Sequence, residues 1–123
     1  MNINELTERV IGCAIEVHRI LGPGLLESTY ERCLARELKM AGISHELQAG
    51  VPIEYKGIHI DCGYRVDVLV EESLILELKS IEKVTDMHKA QLLTYMKLAG
   101  VKAGLLINFN VRLLKEGIQR FVL

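Results

Sequence analysis

Apolar residues recur at intervals of three and four positions in three segments of the chain, as they do along one face of a helix. The pattern predicts helices over about residues 4–20, 25–41 and 85–99. Asn2 or Asn4 is available as the N-cap of the first helix, and Gly42 and Gly100 close the second and third. Because only Gly22-Pro23-Gly24 breaks the first two helices apart, we expect them to pack as a hairpin.

Shorter apolar runs predict strands in the rest of the chain. Segments over about 45–55 and 58–62 and the strand bearing Asp67 are expected to form a three-stranded antiparallel run. An apolar strand over residues 103–109 follows the third helix and should lie parallel to the strand bearing Glu77, after a helical crossover. Residues 119–123 add an edge strand. The predicted fold is α/β, a mixed central sheet flanked by helices in the order ααβββαβ, formed as one domain over residues 1–123.

Three charged residues, Asp67, Glu77 and Lys79, interrupt an apolar hairpin over residues 64–80. A loop at Glu71-Glu72-Ser73 would carry Asp67 directly opposite Glu77 in an antiparallel pair. Glu77 and Lys79 share one strand face, because successive residues point to opposite faces. Both faces of this strand are otherwise largely apolar, so we expect the strand to be buried.

Two carboxylates that face each other across a buried strand pair repel, and burial penalises their charges further. A divalent ion bound to Asp67 and Glu77 would remove this conflict, since Mg²⁺ and Mn²⁺ favour oxygen ligands. Lys79 would stand beside the metal and orient the attacking water or balance charge on a phosphate. The structural alternative is an ordinary ion pair between Glu77 and Lys79 on a half-exposed strand, with Asp67 paired to Arg65.

The third predicted helix carries a polar stripe of His88, Gln91 and Tyr95, which fall within an arc of roughly 60° at about 100° per residue. Because this helix follows Lys79, it can bring His88 or Gln91 toward the carboxylates as a phosphate or water contact. The alternative is a stripe that faces solvent, and this interpretation is preferred for His88 and Tyr95.

Composition limits the partners of the chain. The formal net charge of −1 gives no general attraction to nucleic acid. A local basic face at helical spacing, formed by Arg32, Arg36 and Lys39, could track a phosphate backbone, or it could be an ordinary solvated face. The sequence contains no apolar run long enough to span a bilayer and no signal peptide, which predicts a cytoplasmic protein.

Three cysteines, at positions 13, 33 and 62, are widely spaced. An odd number at such spacing disfavours a disulfide framework or a zinc cluster, so we expect reduced core residues. The core must be aliphatic, because hydrophobic residues make up 50% of the chain and aromatic residues only 5%.

Several motifs together resemble one known family. Gly24-Leu25-Leu26-Glu27-Ser28-Thr29-Tyr30 resembles the motif that names the GxxExxY family, and Asp67, Glu77-Leu78-Lys79 and Gln91 resemble its version of the PD-(D/E)XK nuclease core. Val66 stands where the name of the superfamily expects Pro, a change that affects the backbone and removes no reactive group.

The resemblance implies a restriction-endonuclease-like fold with Asp67 and Glu77 as metal ligands and Lys79 as the catalytic lysine. It also implies that Glu27 is a further acidic contact to the metal and that Gln91 is the polar residue on the helix after the core hairpin. Without the resemblance, Glu27 would be read as an acidic residue favoured at a helix N-terminus.

The predicted function is therefore hydrolysis of phosphodiester bonds by an Mg²⁺- or Mn²⁺-dependent nuclease, with DNA as the substrate. One alternative is a catalytically silent module of the same fold that binds nucleic acid or a protein partner. Another is a structural interaction domain that hides an apolar face in a homodimer, which would also extend a DNA-binding surface.

Overall fold

The computed structural model describes residues 1–123, which form three α-helices, a central sheet and a separate two-stranded ribbon. The helices are α1 (Ile3–Leu21), α2 (Glu27–Met40) and α3 (Asp86–Ala99). The strands are β1 (His45–Gly50), β2 (Ile53–Tyr55), β3 (Ile58–Ile60), β4 (Arg65–Val70), β5 (Leu74–Lys79), β6 (Ala103–Asn108) and β7 (Ile118–Val122). A 3₁₀ turn over Leu114–Gly117 precedes β7.

The central sheet has five strands in the order β1-β4-β5-β6-β7. Strands β5 and β6 are parallel and the other neighbours are antiparallel, so the predicted mixed sheet, helical crossover and edge strand are confirmed. Val70 pairs with Leu74, which confirms the loop that was predicted at residues 71–73. Helices α1 and α2 pack against each other, as expected of a helix hairpin.

The predicted antiparallel run of consecutive strands is wrong in one respect. Strand β1 pairs with β4, while β2 and β3 pair only with each other. Pro52, which has no backbone N–H to donate, stands between β1 and β2. The chain therefore leaves the central sheet for the ribbon and returns at Arg65.

Local sequence explains where the helices begin and end. The Asn2 side chain accepts from the backbone N–H of Glu5 and caps α1. Thr85 and His88 form a reciprocal capping box at the start of α3, which gives His88 a structural task away from the carboxylates. Gly100 ends α3 with φ of 69°, a left-handed conformation that glycine adopts without steric cost.

Two apolar clusters lie on opposite faces of the sheet. The cluster beneath α1 and α2 contains Leu74, Leu76 and Leu78 of β5, whereas Ile75 belongs to the cluster beneath α3. This alternation places Glu77 and Lys79 on the α3 side of the strand, and all of β5 except Lys79 is buried. The predicted buried strand is confirmed.

The cysteines are reduced, but not all belong to the core. Cys13 and Cys33 are half-buried beside the cluster beneath α1 and α2, whereas Cys62 is exposed in the loop after β3. The prediction of a core position is wrong for Cys62, because the ribbon leads the chain away from the sheet. No helix combines the length and the hydropathy that a membrane span requires.

Two glycines should respond in opposite directions to the same substitution. A β-carbon at Gly117 would lie 2.1 Å from the backbone oxygen of Asn108, so Gly117→Ala should lower the free energy of unfolding by about 3 kcal/mol. Gly12 is exposed in α1 with open space around it, so Gly12→Ala should raise the free energy of unfolding by up to about 1 kcal/mol. Denaturant unfolding measures both, and an unchanged stability of Gly117→Ala would contradict this packing.

Candidate active site

The candidate site lies where β4 and β5 separate. Backbone pairing between the two strands ends at Val68 and Leu76. Beyond this point the Asp67 N–H donates to Glu77 Oε1 at 3.2 Å, and the Leu78 N–H donates to Asp67 Oδ2 at 2.8 Å. Each carboxylate thus accepts a backbone N–H of the opposite strand.

The side chains of strand β4 do not alternate regularly between the two faces of the sheet at Asp67. Val66 packs in the cluster beneath α3 and Val68 in the cluster beneath α1 and α2, although residues two apart on a regular strand share a face. The neighbouring strand is irregular at the same level, where Gln48 of β1 has φ of 52° and does not pair with Asp67. The two carboxylates adjoin, but the prediction that Asp67 and Glu77 face each other in a regular pair is wrong for this reason.

Glu77 is a buried carboxylate that forms no salt bridge. Its exposed fraction is 6%. Burial and the negative charges of Asp67 and Glu27 together raise the pKa of Glu77 to about 7, against the lowering effects of the Asp67 N–H and the Lys79 charge. A nearby cation would favour the ionised form.

Neither ion pair of the structural alternative forms. The one ion pair in the protein joins Glu16 and Arg19 on α1. Arg65 donates to the carbonyl oxygen of Tyr64 at 3.3 Å and not to Asp67. The structural alternative for the charged residues of the hairpin is therefore wrong.

Lys79 ends β5 and is half-buried, with no carboxylate in salt-bridge distance. The backbone just beyond it is held by Asn108, whose side-chain oxygen accepts from the Ile81 N–H at 3.1 Å and whose amide donates to the Ile81 carbonyl at 3.0 Å. Asn108 is buried and sits beside Lys79 in the parallel register. Sequence analysis assigns no role to this asparagine, because only the parallel pairing of β5 and β6 brings it to the end of β5.

Glu27 approaches the same end of β5 from the start of α2. Its Oε2 accepts from the Ser80 N–H at 3.3 Å. The start of α2 is fixed by the buried side chain of Tyr30, whose hydroxyl donates to the Gly22 carbonyl at 2.5 Å and accepts from the Leu25 N–H at 3.2 Å. The glycine-to-tyrosine motif therefore anchors the loop that places Glu27.

The Asp67 and Glu27 carboxylates border a cleft of about 270 Å³. It is lined by Glu27, Ser28, Glu31, Gln48, Asp67 and Leu78. Sequence reasoning missed Glu31 and Gln48, although the Gln48 amide lies 2.6 Å from Glu31 Oε1 and 3.4 Å from Asp67 Oδ1. Neither residue type stands out locally, because glutamate is common on exposed helix faces and glutamine on exposed strands.

Two residues of α3 occupy different environments. Gln91 is exposed and its side chain forms no hydrogen bond within the protein, so its role at the site stays a prediction. Tyr95 is half-buried, with its ring 6.1 Å from that of Tyr64. Burial raises the pKa of Tyr95, and the charge of Glu77 raises it further, so Tyr95 lies within electrostatic range of the site and not in a solvent-facing stripe.

The donor set of the site fits a hydrated divalent cation. Asp67 and Glu77 supply oxygen atoms without a compensating salt bridge, and Mg²⁺ typically takes one or two carboxylates plus water and substrate phosphate. No three histidine, cysteine, aspartate or glutamate side chains are grouped so that they could hold a metal ion. The two strand carboxylates would therefore leave most positions around the ion to water and substrate, and the acidic contact expected of Glu27 stays a prediction.

Comparison with known families identifies the fold. The model of a family described as PD-(D/E)XK nuclease superfamily matches residues 4–121. The chain belongs to the PD-(D/E)XK nuclease superfamily. Comparisons with curated proteins and with solved structures give no significant match. The predicted superfamily and the predicted restriction-endonuclease-like fold are thus confirmed. The narrower assignment to the GxxExxY family stays a prediction.

Because Glu77 is buried, the free energy of unfolding of the metal-free protein should fall as pH rises. Its pKa is about 7 in the folded protein against an ordinary 4.5, so the folded state binds more protons than the unfolded state between these values. The penalty is absent below pH 4.5 and complete above about pH 7, where it is on the order of 3 kcal/mol. Urea unfolding in EDTA across this range should show the decline in the natural protein and not in Glu77→Gln. The same pH dependence in both proteins would contradict a buried, uncompensated carboxylate.

Proposed function

We propose that the protein is a metal-dependent nuclease that hydrolyses phosphodiester bonds of DNA. The observation that carries the proposal is the buried Glu77 carboxylate, which adjoins Asp67 at the separated ends of two strands and has no salt bridge. Membership in a nuclease superfamily supports a nuclease-type function and contact with nucleic acid.

Asp67 and Glu77 would hold Mg²⁺ or Mn²⁺, and Glu27 would add an acidic contact from α2. Nucleases of this superfamily generally use divalent metals. When bound, such an ion supplies Lewis acidity toward the phosphate and lowers the pKa of water. The burial of Glu77 and its repulsion by Asp67, which together raise its pKa, support a cation at this point.

Lys79 would place its ammonium group beside the scissile phosphate. Because it has no carboxylate partner, its three donors are free to balance negative charge that develops on the phosphate or to orient the attacking water. Asn108 would keep the end of β5 in place while Lys79 does so. Gln91 would contact phosphate or water from α3.

The path of the DNA would cross the basic face of α2. Arg32, Arg36 and Lys39 are exposed there, which agrees with both a phosphate-binding and a solvated face. We further propose that residues 1–123 act as one nuclease-like domain, and that two copies form a homodimer. Light scattering that gave a monomer at every accessible concentration would remove the dimer from this proposal.

A catalytically silent module remains the second candidate. It is favoured by one observation, namely that the site contains no ready group of three metal-ligating side chains. In that case the same surface would bind nucleic acid or a protein partner, and binding would survive the removal of metal and of the Lys79 side chain.

Cleavage of single-stranded, duplex and branched DNA in Mg²⁺ should depend on two residues of the hairpin. We expect Lys79→Ala and Asp67→Asn to lower the rate by about 100-fold or more, because each removes charge stabilisation or a metal ligand. Lys83→Ala, in an exposed part of the loop after β5, is the matched control and should retain cleavage.

The folding of each variant is checked by circular dichroism. Retained cleavage in both Lys79→Ala and Asp67→Asn would contradict the enzyme proposal. DNA binding that persists in EDTA and in Lys79→Ala, with no cleavage by the natural protein, would support the silent module instead.

A further inference from the structure

Gln48 has an unusual backbone conformation for its position. Four residues other than glycine have positive φ, and three of them, Lys56, Glu71 and Glu72, lie in hairpin turns where such values are common. Gln48 is the exception, because it lies inside β1 with φ of 52°. A residue with a side chain is strained in this region, so the surrounding structure must hold it there.

The side chain of Gln48 joins two carboxylates. Its amide nitrogen lies 2.6 Å from Glu31 Oε1 and 3.4 Å from Asp67 Oδ1, and a glutamine amide has two hydrogens to donate. Glu31 and Asp67 repel each other, and this repulsion contributes to a raised pKa of Glu31 after burial. Gln48 is thus a neutral donor between two acidic groups.

Asp67 depends on side-chain contacts more than its neighbours in β4 do. It has no backbone pairing with β1 or with β5, whereas Val68 pairs with both strands. One carboxylate oxygen of Asp67 accepts from the Leu78 N–H, and the other has Gln48 as its hydrogen-bond partner within the protein. The second oxygen is therefore oriented by Gln48.

We propose that Gln48 is a positioning residue, held by Glu31, which orients the Asp67 carboxylate for binding a divalent cation. The inference deepens the proposed function and rests on it for the identity of the ligand. Gln48, a strained residue of β1, and Glu31, an acidic residue of α2, together set the position of the second carboxylate oxygen of Asp67. A residue that merely fills an irregular strand would have no such effect.

Substitution by glycine separates these two interpretations. Glycine adopts positive φ without steric cost, so Gln48→Gly keeps the backbone and removes the amide. The melting temperature of Gln48→Gly should equal or exceed that of the natural protein. Its affinity for Mn²⁺, measured by calorimetry on the full chain, should fall by about 10-fold or more, as is typical when a residue that orients a metal ligand is lost.

Glu72→Gly is the matched control for a left-handed residue outside the site. Its φ is 54° and its side chain is exposed in the turn before β5. We expect unchanged Mn²⁺ affinity in this variant. An unchanged affinity in Gln48→Gly as well would overturn the inference.

Variants of Glu31 test whether it holds Gln48. Glu31→Ala should lower the Mn²⁺ affinity to about the level of Gln48→Gly, and the double variant should show no further loss, because both changes break one contact network. Glu31→Gln keeps an oxygen that accepts from Gln48 and should retain most of the affinity. Equal losses in Glu31→Gln and Glu31→Ala would overturn the holding role, because they would assign the effect to charge.

A metal-free measurement distinguishes failure of this inference from failure of the proposed function. Three-bond NMR couplings in EDTA report the side-chain rotamer of Asp67, which should be single in the natural protein and averaged in Gln48→Gly. If the natural protein binds no Mn²⁺, the proposed function is overturned while the couplings still decide the role of Gln48. Identical couplings in the two proteins would overturn that role.

Discussion

The carboxylate of Glu77 accepts the backbone N–H of Asp67 at the point where β4 and β5 separate. The carboxylate of Asp67 in turn accepts from the Leu78 N–H, so the two strands stay joined through side chains after their regular pairing has ended. This exchange opens the end of the sheet and buries a negative charge there. The pKa of Glu77 is raised to about 7, chiefly by burial, because the surrounding protein stabilises the ionised carboxylate less well than water does.

Rigid parts of the fold hold other chemical groups around this opening. The Tyr30 ring stacks on Phe109 at 4.3 Å, and its hydroxyl fixes the loop before α2, so Glu27 is supplied from a helix with a well-defined start. Asn108 of β6 holds the chain just after Lys79. The site thus takes its groups from two strands and a helix, and side chains on such elements are held more precisely than side chains on loops.

Local patterns in the sequence predicted much of this arrangement. Helical spacing and capping residues gave the three helices, while the run at residues 71–73 gave the hairpin and its register. These features depend on neighbours in the chain, which the sequence displays directly. Asp67, Glu77 and Lys79 were recognisable because charge is rare in an apolar hairpin.

The remaining features depend on distant parts of the chain. The pairing of β1 with β4 skips the ribbon of β2 and β3, and no local signal marks that return. The change of side-chain alternation in β4 at Asp67 occurs beside Gln48 of β1, which has positive φ. Glutamine has no preference for that conformation. Glu31 and Asn108 make their contacts at the site only through tertiary packing, so their types alone did not identify them.

Anomalous diffraction at the manganese edge locates a bound cation independently of any activity. Crystals of the natural protein grown with Mn²⁺ and a short DNA should give a peak at about 2.1 Å from carboxylate oxygens of both Asp67 and Glu77, and Glu77→Gln crystals should lack it. Density for DNA in the cleft with no manganese peak at these two carboxylates, or with the peak on other residues, would contradict a cation shared by Asp67 and Glu77.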